Sequence, residues 1–395
     1  MAFRFRQQPQ KTLYLLVGAI YLLLRVPVWV VRNLVPSWRP RPKWSLGRTV
    51  FLELVNAATA LLLETSLPAP ESLEKLAASA DKTGFVWVEP APHLVLGDIQ
   101  RFAELNGVSS ARAGGCWYGP RGSDNSVGQK ASPGEKVLYH MHGGGFVMGS
   151  ASPSFSPSAS MFKGLLEHTP QISRIFAVEY RLAAGPPLEI MNPFPAALID
   201  VIAGYRYLVE EVGVDPANII IGGDSAGGIL AYQLARHLTT IDASILPNAG
   251  ALLLLSPSAD SGLRPNPGSM LDNKRSDYVR SWFDARYSVN SLLGSLPADE
   301  LDKPWLSPGS TVFTDADIRG MFKAFPPTFI LAGEAEMSRD CMRVLRDRMQ
   351  IDMGPDGVTY VEIANAPHDF LGMSILEPER TEALVEIAKW ARGLN

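Results

Sequence analysis

The chain is poor in cysteine. Its 395 residues include only Cys116 and Cys341, which are too few for a disulfide-rich domain and too far apart in sequence to frame a zinc site. Free cysteine behaves as a small buried hydrophobic side chain. We therefore expect two buried thiols, and we expect neither a metal nor any other cofactor.

A surplus of positive charge is also missing. Lysine and arginine number 36 against 40 acidic residues, a formal net charge of −4, and no basic block occurs in the main body. Nucleic acid is therefore excluded as a partner. Charged residues amount to 19% and hydrophobic residues to 46%, a balance that excludes disordered and coiled-coil chains and predicts one main domain with appendages.

The N-terminus departs from an ordinary globular pattern. Residues Leu13 to Leu24 are all apolar, and after Arg25 the apolar character resumes as far as Val31. As a helix the first run covers about 18 Å and the whole stretch about 28 Å, against about 30 Å of bilayer hydrocarbon. No small-residue cleavage site follows, which argues against a signal peptide.

We expect membrane association through Leu13 to Val31, at an endomembrane, with the helix either spanning the bilayer or lying in its interface. The side of the membrane stays open. The alternative is a helix that packs as a lid on the rest of the chain.

Apolar runs and helical stretches alternate along the main body, which predicts an α/β fold with a mostly parallel sheet covered by helices on both faces. We divide the chain into residues 1–43, an anchor and basic linker, and residues 44–395, the main domain with a helical cap from about 44–80 and 261–296. The stretch Ser150 to Ser160 is predicted to be a loop. The predicted strands lie in GFVWVEPAP, EKVLYHMH, SRIFAVEY, ANIIIGG, ALLLLSPS, PTFILAG and VTYVEIANA.

The strongest motif is NIIIGGDSAGGILAYQLA, in which an apolar strand runs through a sharp turn into a helix. Gly223 and Gly227 flank Ser225 at two positions on either side. This is the context of a nucleophile elbow, whose strained backbone exposes the serine hydroxyl beyond the carboxyl end of a strand. Ser225 is therefore the candidate nucleophile.

A nucleophilic serine needs hydrogen-bond donors for the oxyanion it creates. HMHGGGFVMGS follows the strand EKVLY, and its three glycines, residues 143–145, leave backbone N–H groups free of obstruction by side chains. A phosphate-binding loop is the competing interpretation. It is disfavoured because the glycines have neither a G-K-[ST] ending nor the G-x-G-x-x-G spacing.

HGGGFVMGS, EYRLA, FPAALID and GDSAGG occur in this order, and with them the chain resembles the hormone-sensitive-lipase family of α/β-hydrolase serine esterases. The resemblance implies the α/β-hydrolase fold and oxyanion donors on the backbone N–H groups of Gly144, Gly145 and Ala226. It implies a structural role for His142. After EYRLA the chain reads AGPPLE where the family usually has a Pro-Glu pair, so the pocket wall near this segment is expected to differ.

The general base is expected at His368, one of six histidines. It lies in a loop directly after the apolar strand VTYVEIA, and the chain order Ser, acid, His is that of α/β-hydrolases. His168 and His237 are expected on helices as partly exposed surface residues, and His93 precedes every motif. Asp369 is interpreted as a helix N-cap.

Three carboxylates between Ser225 and His368 could orient that base, all in AGEAEMSRDC. Glu334 ends a strand and lies close to the sheet, and Asp340 falls in the first turn of a helix that Ser338 could cap. Glu336 occupies the loop between them. The resemblance agrees, because the family's acid segment D-P-L-x-D aligns its first aspartate with Glu336, so Glu336 is the candidate acid.

The predicted function is hydrolysis of a carboxylic ester, lipophilic or with a short acyl group such as acetate, through a Ser-His-Glu triad. Two alternatives stay open. An acyltransferase would use the same acyl-enzyme, and a non-catalytic module that binds a small molecule would keep the fold without the chemistry.

Overall fold

The computed structural model describes residues 2–262 and 268–394. Its centre is one sheet of eight strands in the order β1-β2-β4-β3-β5-β6-β7-β8. β1 and β2 are antiparallel to their neighbours, and all other pairs are parallel. The strands are Phe85–Val88 (β1), Ala113–Tyr118 (β2), Val137–Met141 (β3), Arg174–Glu179 (β4), Ile219–Asp224 (β5), Ala251–Leu255 (β6), Thr328–Gly333 (β7) and Val358–Ile363 (β8).

The described residues form fourteen α-helices, several of which pack on the two faces of this sheet. They are Gln10–Arg32 (α1), Leu46–Thr65 (α2), Leu73–Ala78 (α3), Ala80–Thr83 (α4), Gly97–Asn106 (α5), Ser156–His168 (α6), Ala196–Arg206 (α7), Ala226–Thr240 (α8), Ser269–Asp272 (α9), Arg280–Ala285 (α10), Tyr287–Leu293 (α11), Asp315–Ile318 (α12), Arg339–Met353 (α13) and Glu379–Arg392 (α14). A π-helical turn, Tyr207–Val212, continues α7.

Strand side chains alternate between two apolar clusters, as the two-residue period of a strand requires. In β5, Ile219 and Ile221 join the cluster on the side of α7 and α8, whereas Ile220 joins the cluster on the side of α6 and α14. The sheet is therefore buried on both faces, which explains why its strands are continuous apolar runs. This confirms the predicted fold class.

Two local features differ from the expectations drawn from the sequence. The strand β2 was not predicted. The stretch Ser150 to Ser160 was predicted to be a loop, but α6 begins at Ser156. The predicted helical cap does contain helices in residues 277–294, namely α10 and α11, which are separated at Arg286 by a left-handed backbone conformation with φ of 52°.

The N-terminal segment is attached to the body at both ends of α1. Ahead of the helix, Phe3 is 2% exposed and donates its N–H to Leu63 O at 2.7 Å. Behind it, Asn33 is fully buried. Along its length α1 packs on α2, where Gly18 faces Leu61 so closely that a Cβ would lie 2.7 Å from the leucine methyl.

By length and composition, α1 and α2 are the described helices that could cross a membrane. The outward face of α1 is apolar, with Leu13 at 64%, Leu24 at 69% and Val31 at 61% exposed. α2 differs, since one side contacts α1 and α10, while Thr59 and Leu62 line a cavity described below. Of the predicted cap segment 261–296, residues 263–267 lie outside the described residues.

Candidate active site

Ser225 sits between β5 and α8 in a strained backbone conformation, with φ of 53° and ψ of −116°. Neither flanking glycine could carry a side chain, because its Cβ would clash with a backbone carbonyl oxygen. A Cβ on Gly223 would lie 2.2 Å from the carbonyl oxygen of Gly227, and a Cβ on Gly227 would lie 2.0 Å from that of Met141. The strand, turn and helix therefore present the hydroxyl of Ser225 at the carboxyl edge of the sheet, as a nucleophile elbow does.

His368 lies in the loop after β8 and reaches this hydroxyl. Its Nε2 is 2.8 Å from Ser225 Oγ, within hydrogen-bond distance. The imidazole is 5% exposed. The distance fits transfer of a proton from the serine to Nε2.

Glu336 contacts the other nitrogen of this ring, with Oε2 2.8 Å from His368 Nδ1. The carboxylate is fully buried and accepts further hydrogen bonds from Gly333 N (2.5 Å) and Ser256 Oγ (2.7 Å) on Oε1 and from Ser338 Oγ (3.2 Å) on Oε2. Two anchored oxygens hold the carboxylate in one orientation, so Nδ1 must carry the proton of the neutral ring.

The other two carboxylates of the predicted segment point elsewhere. Glu334 accepts the N–H of Asn365 at 2.9 Å and lies 3.5 Å from Arg41. Asp340 is in the first turn of α13, as predicted, and accepts the N–H of Ser269 at 2.8 Å. Ser338 occupies the N-cap position but makes no side-chain capping bond, and its hydroxyl donates to Glu336.

Asp369 does not cap a helix with its side chain, contrary to expectation. Its Oδ2 lies 3.2 Å from His368 Nε2, on the same side of the ring as Ser225. Burial alone lowers the pKa of His368, but the carboxylates of Asp369 and Glu336 outweigh it, so this pKa is raised above its ordinary value. Asp369 thus adds negative charge beside the candidate base.

The glycine loop lies opposite Ser225. Gly143 donates its N–H to Asp224 Oδ2 at 3.0 Å, which fixes the start of the loop. The backbone hydrogen bonds of the described residues include none donated by the N–H groups of Gly144, Gly145 or Ala226. These donors remain available for an oxyanion, and all three residues line the same cavity as Ser225.

His142 shapes this loop, as predicted. The ring is stacked on Tyr180 at 4.2 Å, and its Nδ1 lies 2.7 Å from the carbonyl oxygen of Gly143. Burial lowers the pKa of His142 to about 4, so the ring is neutral near pH 7. His237, expected at the surface, is only 1% exposed, because its Nε2 reaches the carbonyl oxygen of Leu94 at 3.0 Å.

A cavity of about 280 Å³ opens beside Ser225 and His368. Apolar side chains from α2, α10, α11 and the start of α6 form much of its wall. They include Leu62, Phe155, Met161, Trp282, Phe283, Val289 and Leu292. Both predicted cap segments therefore contribute to the wall.

Sequence reasoning missed several groups that support this site. Ser256 donates to Glu336, and Ser258 Oγ lies 3.4 Å from Ser225 Oγ. Asp277 is buried behind the acid loop and accepts the N–H of Met337 at 2.7 Å. None of these residues belongs to a local sequence motif. Only the positions of Ser256 and Ser258, which follow β6 closely, could have indicated a role in the site from the sequence.

The described residues include no group of three His, Cys, Asp or Glu side chains that could hold a metal ion. The chemistry that their arrangement supports is nucleophilic attack by a serine with an imidazole base.

Residues 138–372 match the family model described as alpha/beta hydrolase fold. An esterase of Acinetobacter venetianus is 27% identical over 265 residues, 66% of this chain and 76% of that protein. An ethyl acetate hydrolase of Pseudomonas putida is 27% identical over 266 residues, 64% of this chain and 71% of that protein.

An acetyl-hydrolase of Streptomyces hygroscopicus is 29% identical over 211 residues, 53% of this chain and 60% of that protein. The crystal structure of an esterase from the bacterial hormone-sensitive lipase family aligns with a TM-score of 0.57 and 23% identity, covering 87% of this chain and 97% of that one. At this identity the structural likeness supports the fold alone.

Proposed function

The chain belongs to the alpha/beta hydrolase fold family and is a carboxylic-ester hydrolase, and from this premise we propose that it acts through a triad of Ser225, His368 and Glu336. The observation that carries the triad is the continuous chain of contacts from Ser225 Oγ through both ring nitrogens to Glu336, each at 2.8 Å. Nucleophile, base and orienting acid are the three roles that acyl transfer requires.

The proposed reaction passes through an acyl-enzyme. Ser225 Oγ attacks the ester carbonyl carbon as its proton moves to His368 Nε2, and the resulting oxyanion accepts hydrogen bonds from the N–H groups at 144, 145 and 226. The intermediate collapses, and His368 protonates the departing alcohol. Water then repeats the sequence and releases the acid. Each oxyanion donor contributes about 2.7 to 4 kcal/mol to such a transition state.

The substrate class proposed is a lipophilic ester with a short acyl group. The apolar wall supports the lipophilic part, and the acetyl-hydrolase and ethyl acetate hydrolase named among the relatives support the short acyl group. We extend the proposal to membrane association through α1, lying on the bilayer surface rather than crossing it. Attachment of both ends of α1 to the body supports the surface placement.

The test compares p-nitrophenyl esters of increasing acyl length on wild type, Ser225→Ala and the matched variant Ser258→Ala. We expect Ser225→Ala to lose at least about 10⁴-fold in kcat, as loss of a triad serine does elsewhere. A fluorophosphonate probe should label wild type and Ser258→Ala but not Ser225→Ala. Full activity of Ser225→Ala would refute the mechanism.

The same preparation separates the two alternatives. An acyltransferase would pass the acyl group to an added alcohol faster than to water, which analysis of the products measures directly. A non-catalytic binding module would bind a small ester without turnover and without labelling at Ser225.

A further inference from the structure

A second cavity, of about 290 Å³, lies between α1, α2 and residues 274–284. Basic side chains converge on it from three separate segments, with α1, the turn before α10 and α10 each contributing. They are Arg25, Arg32, Lys274, Arg275 and Arg280. Nothing in the proposed ester chemistry uses them.

Three carboxylates face the same cavity, and they do not balance this charge. Asp284 forms an ion pair with Arg280, whose Nε lies 3.3 Å from Asp284 Oδ2. Burial raises the pKa of Asp277 to about 7, so this carboxyl is only partly ionised near neutral pH, and it already accepts the N–H of Met337. Among the described residues that line the cavity, Glu53 is then the one carboxylate left to offset the charge of the other four basic side chains. The cavity therefore has a net positive charge.

Arg32 and Arg275 are the clearest unbalanced pair. Arg275 donates to the carbonyl oxygen of Trp38 at 3.2 Å, which fixes its position. Within the described part of the chain, neither guanidinium forms an ion pair with a carboxylate. Burial and the charge of Arg32 lower the pKa of Arg275, and the charge of Glu53 only partly opposes them. Two exposed guanidinium groups that line one cavity favour an anion between them, and guanidinium geometry suits phosphate.

The surroundings indicate where such an anion comes from. One stripe of α1, which includes Arg25 and Arg32, lines the cavity, and the exposed apolar residues Leu24 and Val31 adjoin this stripe in sequence. Arg25 lies over the ring of Tyr21 at 5.3 Å, so an aromatic and a cationic group share the rim. Helices with an apolar face and flanking basic and aromatic residues lie at the boundary of lipid headgroups and acyl chains.

We propose that this cavity binds the phosphate of an anionic glycerophospholipid whose acyl chains lie against the apolar face of α1. Arg32 and Arg275 contact the phosphate, and the cavity thereby fixes how the protein is oriented on the bilayer. The site extends the proposed membrane attachment and is independent of the triad.

The test is flotation of the full-length protein with vesicles of phosphatidylcholine alone or with about 30 mol% phosphatidic acid, at constant ionic strength. The double variant Arg32→Gln/Arg275→Gln removes the two cations. Lys163→Gln/Lys389→Gln removes the same net charge from exposed sites on α6 and α14, outside the cavity. Leu24→Glu places a charge on the apolar face of α1 and tests whether that face mediates membrane attachment.

We expect phosphatidic acid to strengthen wild-type binding, and the arginine variant to lose about tenfold or more of that gain, since each basic residue near an anionic surface contributes appreciably. The lysine variant should keep the gain within about twofold of wild type. Leu24→Glu should weaken binding to both vesicles. The arginine variant should unfold no earlier than wild type, because it relieves like-charge repulsion.

Equal losses in the two double variants would overturn the site and leave only general electrostatics. Binding of wild type to neither vesicle would overturn it as well, without affecting the triad. Saturable binding of inorganic phosphate that depends on Arg32 and Arg275, with unchanged vesicle binding, would assign the cavity to a soluble anion and refute the lipid proposal.

Discussion

The substitution Glu336→Gln tests the proposed acid with almost no change in shape. Each oxygen of Glu336 faces only donors: Gly333 N and Ser256 Oγ on Oε1, and His368 Nδ1 and Ser338 Oγ on Oε2. A glutamine amide offers one oxygen and one NH₂. The backbone N–H of Gly333 cannot reverse its role, so the amide oxygen should remain there and the NH₂ should face the imidazole.

The consequence is the wrong tautomer of His368. With an NH₂ group against Nδ1, this nitrogen becomes the acceptor and the proton moves to Nε2, where it faces Ser225 and prevents the ring from accepting the serine proton. The equivalent change in a serine protease triad lowers kcat by about 10⁴. We expect a loss of about 10³ to 10⁴ in kcat here, or about 4 to 5 kcal/mol in the barrier.

The assay is steady-state hydrolysis of p-nitrophenyl butyrate at a pH above the range in which His368 titrates. Thermal unfolding shows whether each variant is folded. Glu334→Gln and Asp340→Asn are the matched controls, because each removes one charge from the segment around Glu336, and neither side chain contacts His368. Both should stay within a few-fold of wild type. If Glu336→Gln were as active as the wild type while Asp340→Asn was inactive, the assignment would be wrong.

Three further predictions follow from other contacts. In Asp369→Asn the pKa of His368 should fall, so the acidic limb of the pH profile of kcat/KM should move to lower pH; an upward or absent shift contradicts the contact with Nε2. Glu379 Oε1 lies 2.8 Å from the buried guanidinium of Arg48, so Glu379→Gln leaves that cation without its carboxylate and should lower the free energy of unfolding by about 3 to 5 kcal/mol. An unchanged denaturation midpoint would argue against a stabilising ion pair. Leu62→Trp should fill part of the cavity and lower the ratio of kcat/KM for hexanoate over acetate esters about tenfold, whereas an unchanged ratio would show that α2 does not limit the substrate.

The family, the fold class and the strand-turn-helix context of Ser225 could be predicted because each rests on short-range constraints. A serine between two glycines after an apolar strand has few backbone solutions, and the structure shows why the glycines cannot carry a side chain. The choice of a base among six histidines, and of an acid among three carboxylates, could be narrowed by chain order and by position after a strand. The catalytic roles stay predictions until the variants are measured.

The missed features depend on contacts between distant parts of the chain. β2 contains Gly114 and Gly115, which disfavour a strand by propensity. The space above each is occupied by an aromatic ring: a Cβ on Gly114 would lie 2.3 Å from Phe85, and one on Gly115 would lie 2.5 Å from Phe176. The rings that pairing brings from β1 and β4 therefore require glycine at these two positions, a requirement that is not visible in the local sequence. His237 was misjudged for a similar reason, since its acceptor is far away in sequence.

The basic stretch before α2 and the first turn of α2 contact the loops of the candidate active site. Arg41 donates to the carbonyl oxygen of Glu334 at 3.2 Å, while the indole of Trp44 and the guanidinium of Arg48 donate to that of Asn365 at 2.8 and 3.1 Å. These carbonyls belong to the loops that carry Glu336 and His368. The same segment joins α1, whose apolar face is exposed, to α2, which lines the substrate cavity. A few hydrogen bonds thus connect the N-terminal segment, through which we propose membrane association, to the loops that carry Glu336 and His368. We therefore expect truncation of this segment to disturb the proposed triad as well as any attachment to a bilayer.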